Sequence, residues 1–457
     1  MTTKVFLQMI LAATMLVAGC QTLDLSPSMT NSDKCTASFS SSTKVTSTHI
    51  SAYLNGYKGV SETRSAEIAI DPLLNGTDTV MYLVNYPQGG WEVLSADIRA
   101  PKVLVMSKGG CMTVENLTSN PAVESLYGSM GDYISFLHKN PEIDVETAGD
   151  WEDVVYQIEN AQTREIESWV LIGTTVLEDI EEEQDHLTIT RWGQGSPSPS
   201  VGKWNYYSPR LNPSSQYRCY TGCIPVAIAQ MMYYLHYKIG HPVAYYNDCT
   251  VSTSIPTGAT SVKIATSHLT GTGSLGYDWS ILPLKHDASY TEEQYKYVSS
   301  IMTHIGYCTD ATYSSTGTSV LPSKIKPFFS SLGISCSGPS DTDWNIITGE
   351  IFDRNMPVML GVYTANDEGH RVILDGLYSR LRRVEKRYVW NSISGPQYKT
   401  EIELDTQDLV CFNWGYEDSG MVSSSGDTIW YNVYATAWSA GGYDFIETDN
   451  MIYGFNY

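Results

Sequence analysis

Hydrophobic and polar residues alternate in short runs near the N-terminal third of the chain and predict β-strands there. The runs Val80 to Asn85 and Trp91 to Ser95 flank Pro87 to Gly90, a Pro- and Gly-rich stretch typical of a hairpin turn. A further run, Lys102 to Ser107, predicts a third strand.

Helical spacing follows these strands. A predicted helix begins at Pro121, and its apolar positions recur every three or four residues at Val123, Leu126, Met130, Ile134 and Leu137. A second helix is predicted from Trp151 to Trp169. We interpret residues 48–177 as one small α+β unit.

An acidic run, Glu178 to Asp185, contains six acids among eight residues. Like charges at this density repel one another and favour a solvated connection. We therefore place a linker at residues 178–186, expect it to be mobile and open to proteolysis, and begin the second domain, 187–457, at Leu187.

The second domain contains one strong helix pattern and a pair of strands. The stretch from Ile224 to Leu235 is rich in Ala and Met, with Pro225 in its first turn, and predicts a helix beginning at Cys223. Pro357 to Tyr363 and His370 to Gly376 predict two antiparallel strands.

Composition excludes two classes of protein. Hydrophobic residues make up 42% of the 457 residues and charged residues 17%, which is incompatible with intrinsic disorder. The net charge of −22 opposes binding to a nucleic-acid backbone, so no nucleic-acid partner is expected.

The first twenty residues resemble a bacterial lipoprotein signal peptide. An apolar run from Val5 to Ala18 follows Lys4 and leads through Gly19 to Cys20, the expected lipidation site. This predicts export, a Ser/Thr-rich tether over residues 21–47, and either anchoring in the cell envelope through the lipid alone or secretion after processing. The alternative is an ordinary secretory signal in which Cys20 has no role.

The nine cysteines do not form a recognisable pattern. With Cys20 lipidated and one thiol catalytic, an odd number remains, so complete disulfide pairing is impossible. Cys219 and Cys223 lack a second pair of ligands, and we predict no structural metal and no cofactor.

Cys223 is the candidate nucleophile. A thiol at a helix N-terminus is exposed to the helix dipole and to free N–H groups, which stabilise the thiolate. Taken alone, a cysteine at this position is more often a small apolar residue. A catalytic role therefore requires a partner.

His370 is the candidate partner, at the start of a strand directly after Gly369. It follows Cys223 by 147 residues, within the window typical of papain-like Cys-then-His enzymes. None of the other eight histidines begins a strand led by glycine. Alone, His370 would be assigned a structural role, but its order after Cys223 favours catalysis.

Two amides complete the predicted set. Gln194 precedes Cys223 and is expected to join the Cys223 N–H in stabilising an oxyanion. Asn413 follows His370 and is expected to accept a hydrogen bond from the imidazole.

Together these residues resemble the streptopain family of papain-like cysteine peptidases. The similarity covers nearly all of residues 187–457 and rests on the following segments: Trp192 to Gln194, Thr221 to Cys223, Gly317 to Ser319, Trp344 to Glu350, Gly369-His370, Asp375-Gly376, Asn413 to Gly415, Gly441 to Phe445 and Met451 to Gly454. The N-terminal unit resembles that family's inhibitory propeptide at Gly90 to Asp97 and Asn120 to Val123.

The resemblance implies an α+β fold: a two-lobed papain-like cysteine peptidase preceded by a small α+β prodomain. It implies an endopeptidase made as a zymogen, with Cys223 as nucleophile, His370 as general base, Gln194 in the oxyanion hole, and Asn413 with Trp414 orienting and shielding the histidine. Protein or peptide substrates and a monomer are expected.

Three departures from the family pattern are visible. Arg371 replaces a small residue after the histidine, Tyr416 begins a different sequence after Gly415, and a basic insertion around Arg380 to Arg387 predicts an elongated hairpin. They leave two alternatives open, a catalytically degenerate surface-binding lipoprotein and a Cys-His acyl transferase.

Overall fold

The computed structural model describes residues 43–57, 68–119, 121–142, 151, 154, 170–196, 198, 204–240, 250–270, 279–364, 369–392, 395–422, 426–433, 438–440 and 443–456. The predicted signal peptide, nearly all of the tether and almost the whole predicted helix Trp151 to Trp169 lie outside these residues. The same is true of Cys20. Among the described residues, no helix is both long and apolar enough to cross a membrane.

In its described residues, the N-terminal unit contains three helices and five strands. They are α1 Ser47–Tyr57, β1 Ala69–Asn75, β2 Asp78–Asn85, β3 Trp91–Ser95, β4 Val103–Ser107, α2 Val114–Ser119, α3 Pro121–Lys139 and β5 Val170–Gln184. The predicted hairpin, third strand and first helix are confirmed. Strands β2 to β4 are almost wholly buried because α1 and α3 supply apolar partners for both faces of this sheet.

The part of the second domain that the structure describes adds four helices and twelve strands, together with short 3₁₀ and π turns. They are α4 Cys223–Ile239, β6 Thr250–Val251, β7 Ser261–Lys263, β8 Leu269–Thr270, α5 Glu292–Cys308, β9 Thr312–Ser314, β10 Thr318–Ser319, α6 Ile325–Ser331, β11 Ser335–Ser340, α7 Trp344–Thr348, β12 Val358–Thr364, β13 Gly369–Ser392, β14 Gly395–Asn413, β15 Trp430–Asn432, β16 Trp438–Ala440 and β17 Tyr443–Asn456.

A single large sheet joins the two units. Its main path runs β1-β2-β3-β4-β15-β14-β13-β12-β17-β11. Two antiparallel pairs connect the units, β4 with β15 on this path and β5 with β13 beside it. The α+β class predicted from the sequence is confirmed. The described strands of the N-terminal unit do not form a separate sheet, because β4 pairs with β15 of the second domain.

The helices of the second domain form the other lobe. α4 has the residues from Ile224 to Leu235 buried, and it packs with α5 and against the sheet in one continuous apolar core. α5 begins with a capping box in which Thr291 and Gln294 bond each other's backbone. These helices facing a sheet give the expected two-lobed arrangement.

The acidic run does not have the predicted conformation. Residues 178–184 are the end of β5, which pairs antiparallel with β13. Bidentate bonds from Arg380 to Asp179, and ion pairs of Lys108 with Glu181 and Glu183, reduce the repulsion that favoured a mobile linker. The domain boundary itself stays a prediction.

Gly376 permits β5 to reach β13. A Cβ at this residue would lie 2.4 Å from Cys411 Sγ and 2.6 Å from the Gln184 carbonyl oxygen. Any larger residue would push the end of β5 away. The elongated hairpin predicted from the basic insertion is confirmed as β13 and β14, paired from Ile373 and Asn413 to Ser392 and Gly395.

Candidate active site

Cys223 is the first residue of α4, as predicted. The helix starts here because Gly222 adopts φ +100°, a value that residues with a side chain rarely reach, and Thr318 packs against it. The helix ends at Gly240, which adopts the left-handed conformation typical of a C-terminal cap. The half-buried thiol therefore lies at the positive end of a 17-residue helix.

His370 lies near the start of β13, opposite Val362 of β12. Its Nε2 is 2.7 Å from the main-chain oxygen of Trp414, so Nε2 carries the proton that is donated to this carbonyl. In the neutral imidazole, Nδ1 is then unprotonated and able to act as a base.

The thiol and the imidazole are brought together by α4 and β13. Burial raises the pKa of the Cys223 thiol, but the hydrogen bond and charge of His370, with the N–H and guanidinium of Arg371, oppose this. Their combined effect holds the pKa below its ordinary value. A thiolate next to a cationic imidazole is the reactive state of a cysteine nucleophile.

Gln194 lies beside this pair. Its main-chain oxygen accepts a 2.9 Å hydrogen bond from the N–H of Thr221, two residues before Cys223, and Gly193 forms a bridge to Tyr416 on the histidine side. The side-chain amide of Gln194 has no hydrogen-bond partner among the described residues. It is therefore available to a substrate.

Asn413 does not contact the imidazole as predicted. Its amide is buried and bonds Gln230 of α4 reciprocally, at 2.9 and 3.1 Å, and also reaches Thr188 and Thr190. The physical reason is the direction of its side chain, which points from the end of β14 toward α4. The carbonyl of the next residue, Trp414, takes the place expected for Asn413.

Trp414 and Tyr416 divide the role predicted for Asn413 with Trp414. The Trp414 carbonyl orients His370, while its buried ring packs against Phe412 and Tyr431. The ring of Tyr416 stacks on the imidazole instead, with ring centres 4.6 Å apart and planes within 4°. The tyrosine was visible in the sequence only as a departure from the family pattern.

Gln230 is a second residue that the sequence did not single out. Its Oε1 also accepts a hydrogen bond from the N–H of Trp192, two residues before Gln194. Since Gln230 is buried in the middle of α4, it fixes both Asn413 and the Gln194 segment to the helix that carries Cys223. The sequence signal that could have identified Gln230 is its position as a polar residue within the apolar stretch of α4.

Another polar cluster lies where β5 ends. Asp185, His186 and Cys411 have donor atoms within 4.8 Å of one another and are a group that could hold a metal ion. His186 is already bonded through Nδ1 to Asp375 at 2.8 Å and through Nε2 to the Met421 carbonyl at 3.3 Å. The predicted absence of a structural metal stays a prediction.

A thiol and imidazole joined across two lobes, with a free amide beside the helix N-terminus, define the site of a cysteine peptidase. The sequence model described as the Peptidase C10 family matches residues 192–420, half of the chain. The chain therefore belongs to the peptidase C10 family, as the sequence motifs predicted.

Individual relatives are distant. Streptopain from Streptococcus pyogenes is 24% identical over 339 residues, which cover 69% of this chain and 74% of streptopain. Among solved structures, a fragment of Prevotella intermedia prointerpain A matches 85% of this chain and 99% of its own, at 18% identity and a TM-score of 0.45. Active interpain A matches 60% and 96%, at 21% identity and a TM-score of 0.38.

Proposed function

We propose that this chain is a cysteine endopeptidase made as a zymogen, which hydrolyses peptide bonds through an acyl-enzyme on Cys223. The observation that carries the proposal is the position of Cys223 as the first residue of α4, next to His370 and Arg371, which hold the pKa of its thiol below the ordinary value. Family membership supports the same reaction.

In the first half of the reaction, the Cys223 sulfur attacks the scissile carbonyl carbon and the carbonyl oxygen becomes an oxyanion. Cys223 is the first residue of the helix, so its N–H has no intrahelical acceptor and can donate to this oxyanion with the Gln194 amide. The His370 imidazolium donates its Nδ1 proton to the departing amine, and the C–N bond breaks.

In the second half, water attacks the thioester carbon while neutral His370 accepts a proton at Nδ1. The C–S bond breaks, the thiolate re-forms, and the acid product leaves. The Trp414 carbonyl holds Nε2–H throughout, and the stacked Tyr416 ring covers one face of the imidazole. Both contacts limit the orientations that the base can adopt.

Labelling with a thiol-directed peptidase inhibitor tests this function. We expect the inhibitor to modify Cys223 and not Cys308, which is exposed and has His304 Nε2 3.8 Å from its sulfur but does not begin a helix. Product analysis with a protein substrate should show cleaved chains. Absence of labelling at Cys223 would favour a non-enzymatic surface protein, and cross-linked products would identify an acyl transferase.

We further propose that the protein is exported and anchored by lipid on Cys20, on the basis of the N-terminal sequence alone. Cys20→Ser should move the protein from the membrane fraction to the soluble fraction, and mass spectrometry should find the lipid on Cys20 of the wild type. A mature N-terminus elsewhere would favour an ordinary secretory signal.

A further inference from the structure

Four side chains with metal-binding atoms meet where β5 ends, away from the catalytic pair. Asp185 and His186 directly follow β5, Asp375 lies on β13, and Cys411 lies on β14. We call these four residues the junction cluster. Asp375 and Cys411 are fully buried, whereas Asp185 is exposed, so an ion can approach the cluster from the side of Asp185.

The donor atoms of the junction cluster have separations close to those of zinc ligands. His186 Nδ1 is 3.5 Å from Cys411 Sγ, and Asp375 Oδ1 is 2.8 Å from this nitrogen and 3.9 Å from this sulfur. A carboxylate oxygen of Asp185 lies within 4.8 Å of a ring nitrogen of His186 and of the Cys411 sulfur.

Tetrahedral zinc requires nearly the same spacing. Zinc binds histidine nitrogen at about 2.0–2.1 Å and cysteine sulfur at about 2.3 Å, so the two ligand atoms are about 3.5 Å apart. The His186 nitrogen and the Cys411 sulfur already have this separation. Asp375 Oδ1 would have to move away from the nitrogen by less than about 1 Å.

Other groups orient two of these side chains from behind. His186 Nε2 lies 3.3 Å from the Met421 carbonyl oxygen, the usual kind of partner for the second ring nitrogen of a metal-bound histidine. Asp375 Oδ2 accepts hydrogen bonds from the hydroxyl and from the main-chain N–H of Thr188. These contacts direct His186 Nδ1 and Asp375 Oδ1 toward Cys411.

The surroundings of Cys411 favour a cation. Burial raises the pKa of the Cys411 thiol, and the negative charges of Asp375, Asp185 and Glu183 raise it further. The thiol therefore keeps its proton unless a cation replaces it. A bound Zn²⁺ ion does this, because a coordinating thiol is deprotonated.

Entry of Zn²⁺ would leave the charge of the junction cluster unchanged. Both ring nitrogens of His186 face oxygen acceptors, so the ring carries two protons and a positive charge. When the ion binds, the Nδ1–H bond of His186 and the S–H bond of Cys411 break, and bonds from zinc to nitrogen and sulfur form. Two protons leave as one divalent ion enters.

We propose that the junction cluster binds one Zn²⁺ ion, with His186 Nδ1, Cys411 Sγ and carboxylate oxygens of Asp185 and Asp375 as ligands. Nitrogen and sulfur ligands favour zinc over Ca²⁺ and Mg²⁺, which prefer oxygen. The ion would connect the residues that follow β5 to β13 and β14. This inference does not depend on the proposed peptidase function.

The proposal departs from the sequence-based prediction of no metal. That prediction considered Cys219 and Cys223, which lack a second pair of ligands. The junction cluster combines residues from three segments that are distant in the sequence. The pairing of β13 with β5 and with β14 brings these segments together.

The test measures zinc binding by the full-length chain carrying Cys223→Ala, purified without a histidine tag, so that the catalytic thiol cannot bind the ion. Competition with a chromophoric chelator should give one Zn²⁺ per chain, with a Kd of about 1 µM or lower. Adding Cys411→Ser should weaken binding at least about a hundredfold. Cys308→Ser, which alters an exposed thiol 3.8 Å from His304 Nε2, should leave the affinity within about twofold.

Co²⁺ provides a direct readout of the sulfur ligand. The chain with Cys223→Ala should show a thiolate-to-cobalt charge-transfer band in the near ultraviolet, and the band should disappear with Cys411→Ser. If Cys411→Ser does not fold, Asp185→Asn at the exposed ligand decides, and it should weaken zinc binding about tenfold.

Three results would overturn the proposal: no zinc binding, an affinity that these substitutions in the junction cluster leave unchanged, or a cobalt complex without the charge-transfer band. Because the nucleophile is absent throughout, each of these results would leave the proposed peptidase function standing.

Discussion

At the residue scale, the ionisation of Cys223 depends on neighbours that oppose the effect of its burial. His370 supplies a hydrogen bond and a charge, and Arg371 supplies an N–H and a second charge. Burial raises the pKa of the thiol, and each of these interactions lowers it. The loss of any one of them should therefore raise the pKa.

His370→Ala should therefore raise the pKa of Cys223. Alkylation of Cys223 by iodoacetamide, followed by mass spectrometry across pH 5 to 10, should show a midpoint at higher pH than in the wild type. If the midpoint rises by about one pH unit, the alkylation rate at pH 6 should fall about tenfold, because the thiolate is the reacting species. The exposed Cys111 provides the internal control, and an unchanged midpoint at Cys223 would contradict the proposed pair.

Tyr416 provides a second residue-scale prediction. Tyr416→Ala removes the ring that stacks on His370, so we expect kcat to fall about tenfold on a peptide substrate while KM changes little. Tyr416→Phe keeps the ring and loses only the hydroxyl, which lies 3.4 Å from Nδ1, and should retain activity within about twofold. Equal losses in the two variants would show that the hydroxyl, and not the stack, matters.

At this scale, the sequence predicted the position of a residue where that position is fixed by the residue's own helix or strand, while the catalytic roles stay predictions. Cys223 follows from a helix start and His370 from a strand start, and the structure joins them. The partner of the imidazole could not be predicted in the same way, because a main-chain carbonyl has no residue identity. The sequence pattern pointed to Asn413, and the neighbouring Trp414 carbonyl makes the contact.

At the scale of elements, β5 is the critical connection. It carries the acidic run and lies along β13, so a protease would have to bind a strand that is already paired. Release of the N-terminal unit therefore requires β5 to separate from β13. The side-chain contacts across this pair are expected to set how readily that occurs.

Arg380→Ala should accelerate maturation of the full-length chain. The variant removes the bidentate contact with Asp179 across β5 and β13, a partly exposed pair that contributes up to about 1 kcal/mol. Time courses on gels should show cleavage about two- to fivefold faster than in the wild type. Lys399→Ala removes a single ion pair with Glu401 inside β14, away from the β5–β13 pair, and should mature at the wild-type rate.

The conformation of β5 could not be deduced from its own sequence. A dense acidic run favours a solvated connection unless cations from elsewhere neutralise it, and Arg380 and Lys108 are distant in sequence. Helices α3 and α4 and the hairpin of β2 and β3 were predicted because their signals are local. Pairing across 200 residues leaves no such signal.

At the scale of the whole molecule, the N-terminal unit and the peptidase domain share one sheet and part of one core. Tyr378, Leu409 and Trp430 of the second domain are buried in a cluster with residues of α1 and of strands β2 to β4. The N-terminal unit therefore contributes to folding stability as well as to the proposed inhibition.

A chain beginning at Leu187 should be active without a lag, whereas full-length protein should gain activity only as cleavage appears. The shorter chain should also unfold at a lower temperature than the intact one, because Leu409 and Trp430 lose apolar partners. Activity assays beside gels and thermal unfolding measure both effects. Full activity in a demonstrably uncut chain would refute the zymogen proposal alone.

The central claim is that Cys223 performs the chemistry, and the most direct measurement is casein hydrolysis by mature Cys223→Ala. We expect the variant to lose at least about a thousandfold in rate while its thermal unfolding stays within a few degrees of the wild type, since a small residue at a helix start is well tolerated. Cys308→Ala, which removes an exposed thiol with His304 Nε2 3.8 Å from its sulfur, should keep full activity. Proteolysis by pure, folded Cys223→Ala at the wild-type rate would contradict the account.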